Sequence, residues 1–226
     1  MTTFQAPTSE DRRFSAVVRS ATFDDHERAA VSAFMSAMFD GSLPLAAYTE
    51  MVAQHYYAYV VLEDAGDALA QHPIAGGFVD EALRRVPAIE ADLTTLLGAD
   101  WRATVRPSAS TRAYCDRMAE VCVDAPERFV AHHYTRYMGD LSGGLMIGRR
   151  ARQTYGFDDG AGAAFYQFDL IPDPGEYKDR YRTRLDEAPW SDDERAALLD
   201  EVRVAYRLNT EVFDELDAQL GAGAFG

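Results

Sequence analysis

Lysine is almost absent from this chain. Lys178 is the only one among 22 basic residues, which face 37 acidic ones, and the formal net charge is −15. A chain so acidic is repelled by nucleic acid and by anionic lipid surfaces, so neither is an expected partner. Cysteine is scarce too, with only Cys115 and Cys122. They stand two helical turns apart, about 10 Å, too far for a disulfide. Free thiols fit a reducing cytoplasm. No apolar run approaches the ~20 residues of a membrane span, and the opening residues lack a basic-then-apolar leader, so neither an anchor nor a secretory signal is expected. CxxC pairs, HExxH and repeated ExxH are missing, which argues against structural zinc and di-iron centres. No GxGxxG follows a strand, so no built-in flavin or nicotinamide site is expected.

What is present is apolar material: 47% hydrophobic and 12% aromatic residues in 226. That suits one packed domain. Strand alternation is nearly absent, and helical punctuation dominates. Helical spacing predicts a helix over 12–39, stopped by Gly41. A second runs from Pro44 through Tyr48, Val52, Tyr56 and Tyr59 to Leu69. Shorter helices are expected at 78–85, 88–97 and 111–121. Asp124-Ala-Pro-Glu127 reads as a capping box opening a helix to Tyr155. Residues 156–172 read as irregular. Asp173-Pro174 starts a helix to about Ala188, and Ser191 to Glu194 caps a last one to Leu220. Residues 1–11 and 221–226 read as flexible tails. No repeat or linker divides the chain, so the expectation is one all-α domain over 1–226.

One stretch breaks the helical rule. Tyr134-Thr-Arg-Tyr-Met-Gly139-Asp140-Leu-Ser-Gly143-Gly144 holds three glycines in six residues. Each should weaken a helix by about 1 kcal/mol relative to alanine. Gly139 and Gly143, at i and i+4, make a side-chain-free strip beside the Asp140 carboxylate, with Gly144 next to it. A flat ligand could lie against such a strip. A tight helix crossing, or a break between two helices, would also account for the glycines.

The segment Ala131-His-His-Tyr-Thr-Arg-Tyr-Met-Gly-Asp-Leu-Ser-Gly-Gly144 closely resembles the distal-helix signature of heme oxygenases. The resemblance extends, in unbroken order, over roughly 12–218. It takes in the region of His26, Tyr56-Tyr-Ala-Tyr59-Val-Val-Leu-Glu63, Tyr177-Lys-Asp-Arg-Tyr-Arg-Thr-Arg184, and Asn209 to Leu216. It implies a helical bundle holding heme between a proximal helix and the glycine-rich distal helix.

Of the five histidines (His26, His55, His72, His132 and His133), His26 has the most suitable neighbours. Ala29, Ala30, Ala33 and Ala37 leave room for a macrocycle, and Arg19 lies two turns earlier. The resemblance independently makes His26 the axial ligand of the iron, a role neutral imidazole commonly takes. Lys178 and Arg182 share a helix face, which by itself could be a merely solvated basic face. The resemblance selects them, with Arg19 and Tyr134, as contacts to the heme propionates. Arg19 stands where relatives often carry lysine. Such anchors fix the rotation of the ring and hence the carbon attacked.

The resemblance further implies that Asp140 orders waters that deliver a proton during oxygen activation, a form of general acid catalysis. Tyr59, Arg136 and Asn209 would support that network, and Tyr206 and Phe213 would line the pocket. For all five, ordinary packing is the competing reading. Relatives often have glutamine where this chain has Leu145, which removes one polar group. The implied reaction cleaves heme b with O2 and external electrons to biliverdin (the α isomer from the anchor pattern), carbon monoxide and ferrous iron. A ferredoxin or flavin reductase would supply the electrons, docking on Arg149, Arg150, Arg180 and Arg184. The protein is expected to be a monomer. The alternative is a heme carrier, store or sensor, which would need His26 and the anchors but not Asp140.

Overall fold

The computed structural model describes residues 13–23, 32–157 and 160–225, and every regular element among them is helical. Helix α1 (Phe14–Ala21) buries Phe14 and Val18. It is tied to a later helix by Asp186, which accepts from the Ser15 amide at 2.7 Å and its hydroxyl at 3.0 Å. Helix α2 (Ala33–Asp40) starts at Ser32, whose side chain accepts from the Met35 amide at 3.0 Å. It ends on Gly41, whose φ of 84° lies in the left-handed region where glycine alone is free of strain. The 12–39 segment is therefore not one helix. Thr22 closes α1, its hydroxyl bonding back to the Val18 carbonyl at 2.7 Å, and Ser32 opens α2 afresh. His26, Ala29 and Ala30 lie outside the described residues.

Helix α3 (Leu45–Leu69) is the central strut. It buries side chains all round its axis, among them Tyr48, Met51, Tyr59 and Leu62, as a helix surrounded by others must. Two short 3-10 turns, Ala75–Phe78 and Glu81–Leu83, replace the predicted helix at 78–85. The Asp80 side chain caps the second by accepting from the Ala82 amide, which holds the chain in a tight turn. Helices α4 (Val86–Leu97), α5 (Trp101–Thr104) and α6 (Ala109–Val121) follow.

Helix α7 (Pro126–Gly139) begins at Pro126 without a side-chain cap. The predicted capping box at Asp124 does not form. The N-cap position falls on Ala125, one residue after Asp124, and its carbonyl accepts the first helical bonds, from the amides of Arg128 at 2.8 Å and Phe129 at 3.2 Å. A single wide π turn, Asp140–Gly144, joins α7 to α8 (Leu145–Tyr155). Helix α9 (Pro174–Glu187) is capped by Asp173. Helix α10 (Asp192–Gly221) opens with the Ser191–Glu194 capping box, both halves of which are formed. Its buried residues Leu198, Val202, Ala205, Leu208, Val212 and Leu216 recur every three or four positions and pack most extensively on α7.

The segment between α8 and α9 is irregular but pinned. The buried Asp92 carboxylate accepts from the amides of Ala164 and Phe165, each at 2.8 Å. Buried Arg85 donates to the carbonyls of Phe165 at 3.1 Å and Gln167 at 2.5 Å. These two side chains fix where Tyr166 sits, and Tyr166 forms part of the wall described next.

Candidate functional site

A cavity of about 620 Å³ lies under the π turn. Its floor is Gly139, Asp140, Ser142, Gly143 and Gly144. Met35 and Phe39 of α2, Met51 and His55 of α3, and Tyr206, Asn209 and Phe213 of α10 close the sides, with Met146, Ile147 and Tyr166 at the far wall. A largely apolar concavity of this size, with a few convergent polar groups, is what a drug-sized or larger planar ligand requires.

The glycines divide into two kinds. A Cβ added to Gly139 or Gly143 would meet nothing within 4 Å, so both open onto the cavity. The tight-crossing account of these two fails. A Cβ on Gly144 would touch Asp140 and Tyr166 at 3.5 Å, and one on Gly148 would collide with Tyr166 Cβ at 2.3 Å. Gly148, which sequence reading passed over, is therefore the residue a tight contact requires. The i, i+4 spacing from Gly144 is the signal that could have found it. The π turn resolves the remaining alternative: the chain neither breaks nor continues as plain α-helix. It widens by one turn, a device common at functional sites.

At the edge of this floor Asp140 accepts a short hydrogen bond from the Tyr59 hydroxyl. The buried Arg136 guanidinium lies 4.8 Å over the Tyr59 ring and donates to Asn209 Oδ1 at 2.6 Å. Thus Tyr59, Arg136, Asn209 and Asp140 are brought together. Loss of solvation pushes the Asp140 carboxyl above its usual range, and Arg136 and the Tyr59 hydrogen bond pull it only partly back. Burial likewise pushes the Tyr59 hydroxyl well above its ordinary value, so it stays a donor. Burial disfavours the Arg136 charge, yet Tyr59, Tyr114 and Asp140 outweigh that and hold it firmly protonated. The site is a protonatable acid clamped between a phenol and a permanent cation.

Tyr206 and Phe213 both line the cavity. His55, which sequence reading did not select, lines it as well. Burial, followed by the field of Arg136, pushes its imidazole well below the ordinary histidine range, so the ring is neutral. Its i, i+4 relation to Tyr59 on one face of α3 could have revealed it.

The expected anchors lie beside the cavity rather than in its wall. Lys178 reaches from α9 to donate to Ser142 Oγ of the π turn at 3.0 Å. Arg19 and Arg182 share a polar cleft of about 530 Å³ between α1 and α9. Tyr134 is buried next to them. Burial raises its hydroxyl pKa, while the fields of Arg182 and Arg19 oppose the rise. Arg182 also pairs with Asp179 at 2.6 Å. Of the residues expected to dock a redox partner, Arg149 is exposed on α8, and Arg150 is half-buried against Gly41. Arg180 and Arg184 line a groove with Glu176, Asp179 and Glu187, so that face is of mixed sign.

Comparison with known proteins supplies the family. The heme oxygenase family model matches residues 12–215. The chain is 33% identical to a heme oxygenase of Takifugu rubripes over 95% of its length and 78% of the relative's. It is 34% identical to heme oxygenase 1 of Nostoc, covering 90% of this chain and 85% of the relative. The crystal structure of heme oxygenase-1 from the cyanobacterium Synechocystis, in complex with heme, superposes with a TM-score of 0.86 at 32% identity, covering 94% of this chain and 98% of that one. The heme oxygenase of Leptospira interrogans gives 0.85 at 30% identity, over 90% and 99%. With an all-helical architecture, a matching fold and a family match that spans nearly the whole sequence, this chain belongs to the heme oxygenase family.

Proposed function

We infer that this protein binds heme against Gly139 and Gly143 and opens the ring to biliverdin, releasing carbon monoxide and ferrous iron. The observation that carries the reading is the Asp140 carboxyl, held by Tyr59 at the edge of a cavity whose floor has no side chains. A macrocycle needs flat, unobstructed backbone on one face, and the two glycines provide it. Bound heme supplies the iron at which O2 is activated. The remaining tasks fall to this chain.

Asp140, its carboxyl pKa raised by burial, holds a proton at Oδ1 or Oδ2 more readily than an exposed aspartate. Tyr59 fixes the orientation of the carboxyl, and Arg136 with Asn209 fixes the polar wall behind it. Water ordered by this group carries the proton into the cavity. Arg19, Tyr134, Lys178 and Arg182 bind the two propionates and so set the rotation of the ring, which selects the α isomer. His26 would hold the heme iron through its imidazole. Its replacement by alanine is expected to abolish the imidazole-ligated heme spectrum, and an unchanged spectrum would remove it from that role.

Electrons come from an external donor, a ferredoxin or a flavin reductase, docking near Arg149, Arg150, Arg180 and Arg184. Charge reversal at these arginines should slow reductase-driven turnover and alter its salt dependence. Indifference of both would discard this face. No described helix is long and apolar enough to cross a membrane. The free thiols of Cys115 and Cys122 suit a reducing cytoplasm.

The deciding experiment is a single turnover. One equivalent of hemin is added to the protein, ascorbate or a reductase is supplied in air, and the spectrum is followed. Loss of the Soret band, a rising biliverdin band and carbon monoxide trapped by myoglobin are the expected result. Stable heme without ring opening would instead favour the carrier or sensor reading.

A further inference from the structure

Two histidines stand side by side in α7, and neither is among the described residues that wall the large cavity. His132 turns to Glu201 on α10, its Nε2 3.1 Å from the carboxylate. His133, one position on and so about 100° further round the helix, faces α9. Its Nδ1 lies 3.0 Å from the Tyr181 hydroxyl, and the two rings stack at 13° with centroids 5.7 Å apart. Both side chains are buried. Phe129 and Tyr137 pack on the imidazole at 5.3 and 4.4 Å, and Phe78 meets the Tyr181 ring edge-on at 5.1 Å.

Burial, and then the field of Arg184, draws the His133 imidazole down to about 3, so the ring is neutral and has one acceptor nitrogen. Burial pushes the Tyr181 hydroxyl well above its ordinary value, with Tyr177 and Tyr134 adding to the rise and Arg184 opposing it, so the phenol keeps its proton. The placement of this pair matters because His133 precedes Tyr134 and Tyr181 precedes Arg182, the two expected propionate contacts on α7 and α9. The α9 backbone runs close to α1, to the 3-10 turn at Ala75–Phe78 and to the π turn, and it meets α7 through side chains. Ring contacts such as Tyr134 on Tyr181, with centroids 6.2 Å apart, tolerate sliding. A hydrogen bond fixes a length and a direction, so this one sets the register of α9 on α7.

We propose that the Tyr181 hydroxyl donates to His133 Nδ1, and that His133 thereby acts as a positioning residue: it sets the separation of Tyr134 and Arg182, and so the rotation of a bound porphyrin. The hydrogen bond stands without a ligand, and its effect on ring rotation rests on the heme-binding reading. His133 touches no reacting atom. It acts on which carbon of the ring is opened.

The test needs both states. In the heme-free protein, nitrogen NMR should show His133 with Nε2 protonated and Nδ1 bare, unchanged through the usual histidine titration range, and the Nδ1 resonance should shift in Tyr181→Phe. A protonated Nδ1, or a His133 signal unmoved in Tyr181→Phe, overturns the hydrogen bond. In the hemin-loaded protein, the biliverdin isomers of a single turnover are separated. His133→Leu and Tyr181→Phe should each change the isomer ratio by roughly two- to tenfold, the worth of one hydrogen bond. His133→Asn, which restores an acceptor, should return the ratio toward wild type. Tyr181→Phe removes a single oxygen, so it carries the measurement if His133→Leu does not fold. An unchanged ratio in hemin-loaded Tyr181→Phe overturns the positioning role. Where hemin binds but the ring does not open, proton NMR of the cyanide complex reads the ring rotation under the same criterion. A wild type that takes up no hemin sinks the proposed function and the positioning role together, and the heme-free arm then decides the hydrogen bond separately.

Discussion

Two carboxylates at opposite ends of α7 are placed under similar constraints and come out opposite. Glu201, on α10, faces the start of α7 and is nearly inaccessible, at 2% exposure. It accepts from Arg117 Nη2 at 2.7 Å and Arg128 Nη1 at 3.0 Å, with His132 Nε2 at 3.1 Å. Burial alone would raise its pKa, but these partners outweigh burial and draw it down to about 2. Asp140, at the other end, has one phenolic hydrogen bond and a neighbouring arginine that donates to Asn209 instead. Burial wins there, and the carboxyl rises. Arginine near a buried acid is therefore not diagnostic of its role. A saturated carboxylate is a permanent charge that fastens α6, α7 and α10 together. An undersaturated one opening on a cavity can exchange a proton.

The contrast is broken most severely at Asp140. Asp140→Ala should leave heme binding intact and lower biliverdin yield per turnover by about 10²–10⁴-fold, the usual worth of positioned proton transfer. Single-turnover spectra check it, and normal yield would mean the raised carboxyl is idle.

The converse change, Glu201→Leu, should spare turnover and cost stability, by roughly 1–3 kcal/mol for the buried donors left without an acceptor. Urea denaturation measures it. The pH dependence has a fixed sign. Glu201 is held at about 2, below the ordinary glutamate value of 4.5. Its contribution is thus complete above pH 4.5 and is lost as pH falls toward 2. Wild type should lose stability through that window, and the variant should lose less.

The finest adjustment is Tyr59→Phe, which removes the hydrogen bond that pulls Asp140 down. The carboxyl should rise further and keep its proton to higher pH, so the alkaline limb of the pH–rate profile should move upward. The accompanying rate change should be roughly two- to tenfold, the worth of one hydrogen bond. A limb that stays put would separate Tyr59 from the titration of Asp140.

Much of this was legible in the chain. The helices with clear caps were readable where cap and periodicity agreed: Ser191 to Glu194 for α10, Asp173 for α9, and Gly41 at the end of α2. Reading failed where a signal had two owners. Asp124-Ala-Pro-Glu127 fits a capping box, but the chain leaves the preceding helix so that the N-cap falls on Ala125, which has no polar side chain to cap with. The apolar spacing of 12–39 runs through a chain in which one helix closes at Thr22 and another opens at the Ser32 cap. At the site, glycines beside an acid announced an unusual surface. They could not announce that Gly139 and Gly143 face space while Gly148 faces Tyr166, because that depends on a loop pinned by Asp92 and Arg85 from a distant helix.

The sequence by itself determined the helical class, the family signature and which residue types could do the chemistry, because periodicity, caps and residue identity are local properties. Tertiary structure alone decided what those residues are. It made Asp140 a raised acid and Glu201 a lowered one, and placed a neutral His55 in the wall of the cavity. Solvation and hydrogen bonding are set by what packs against a side chain, and those neighbours come from elsewhere in the chain.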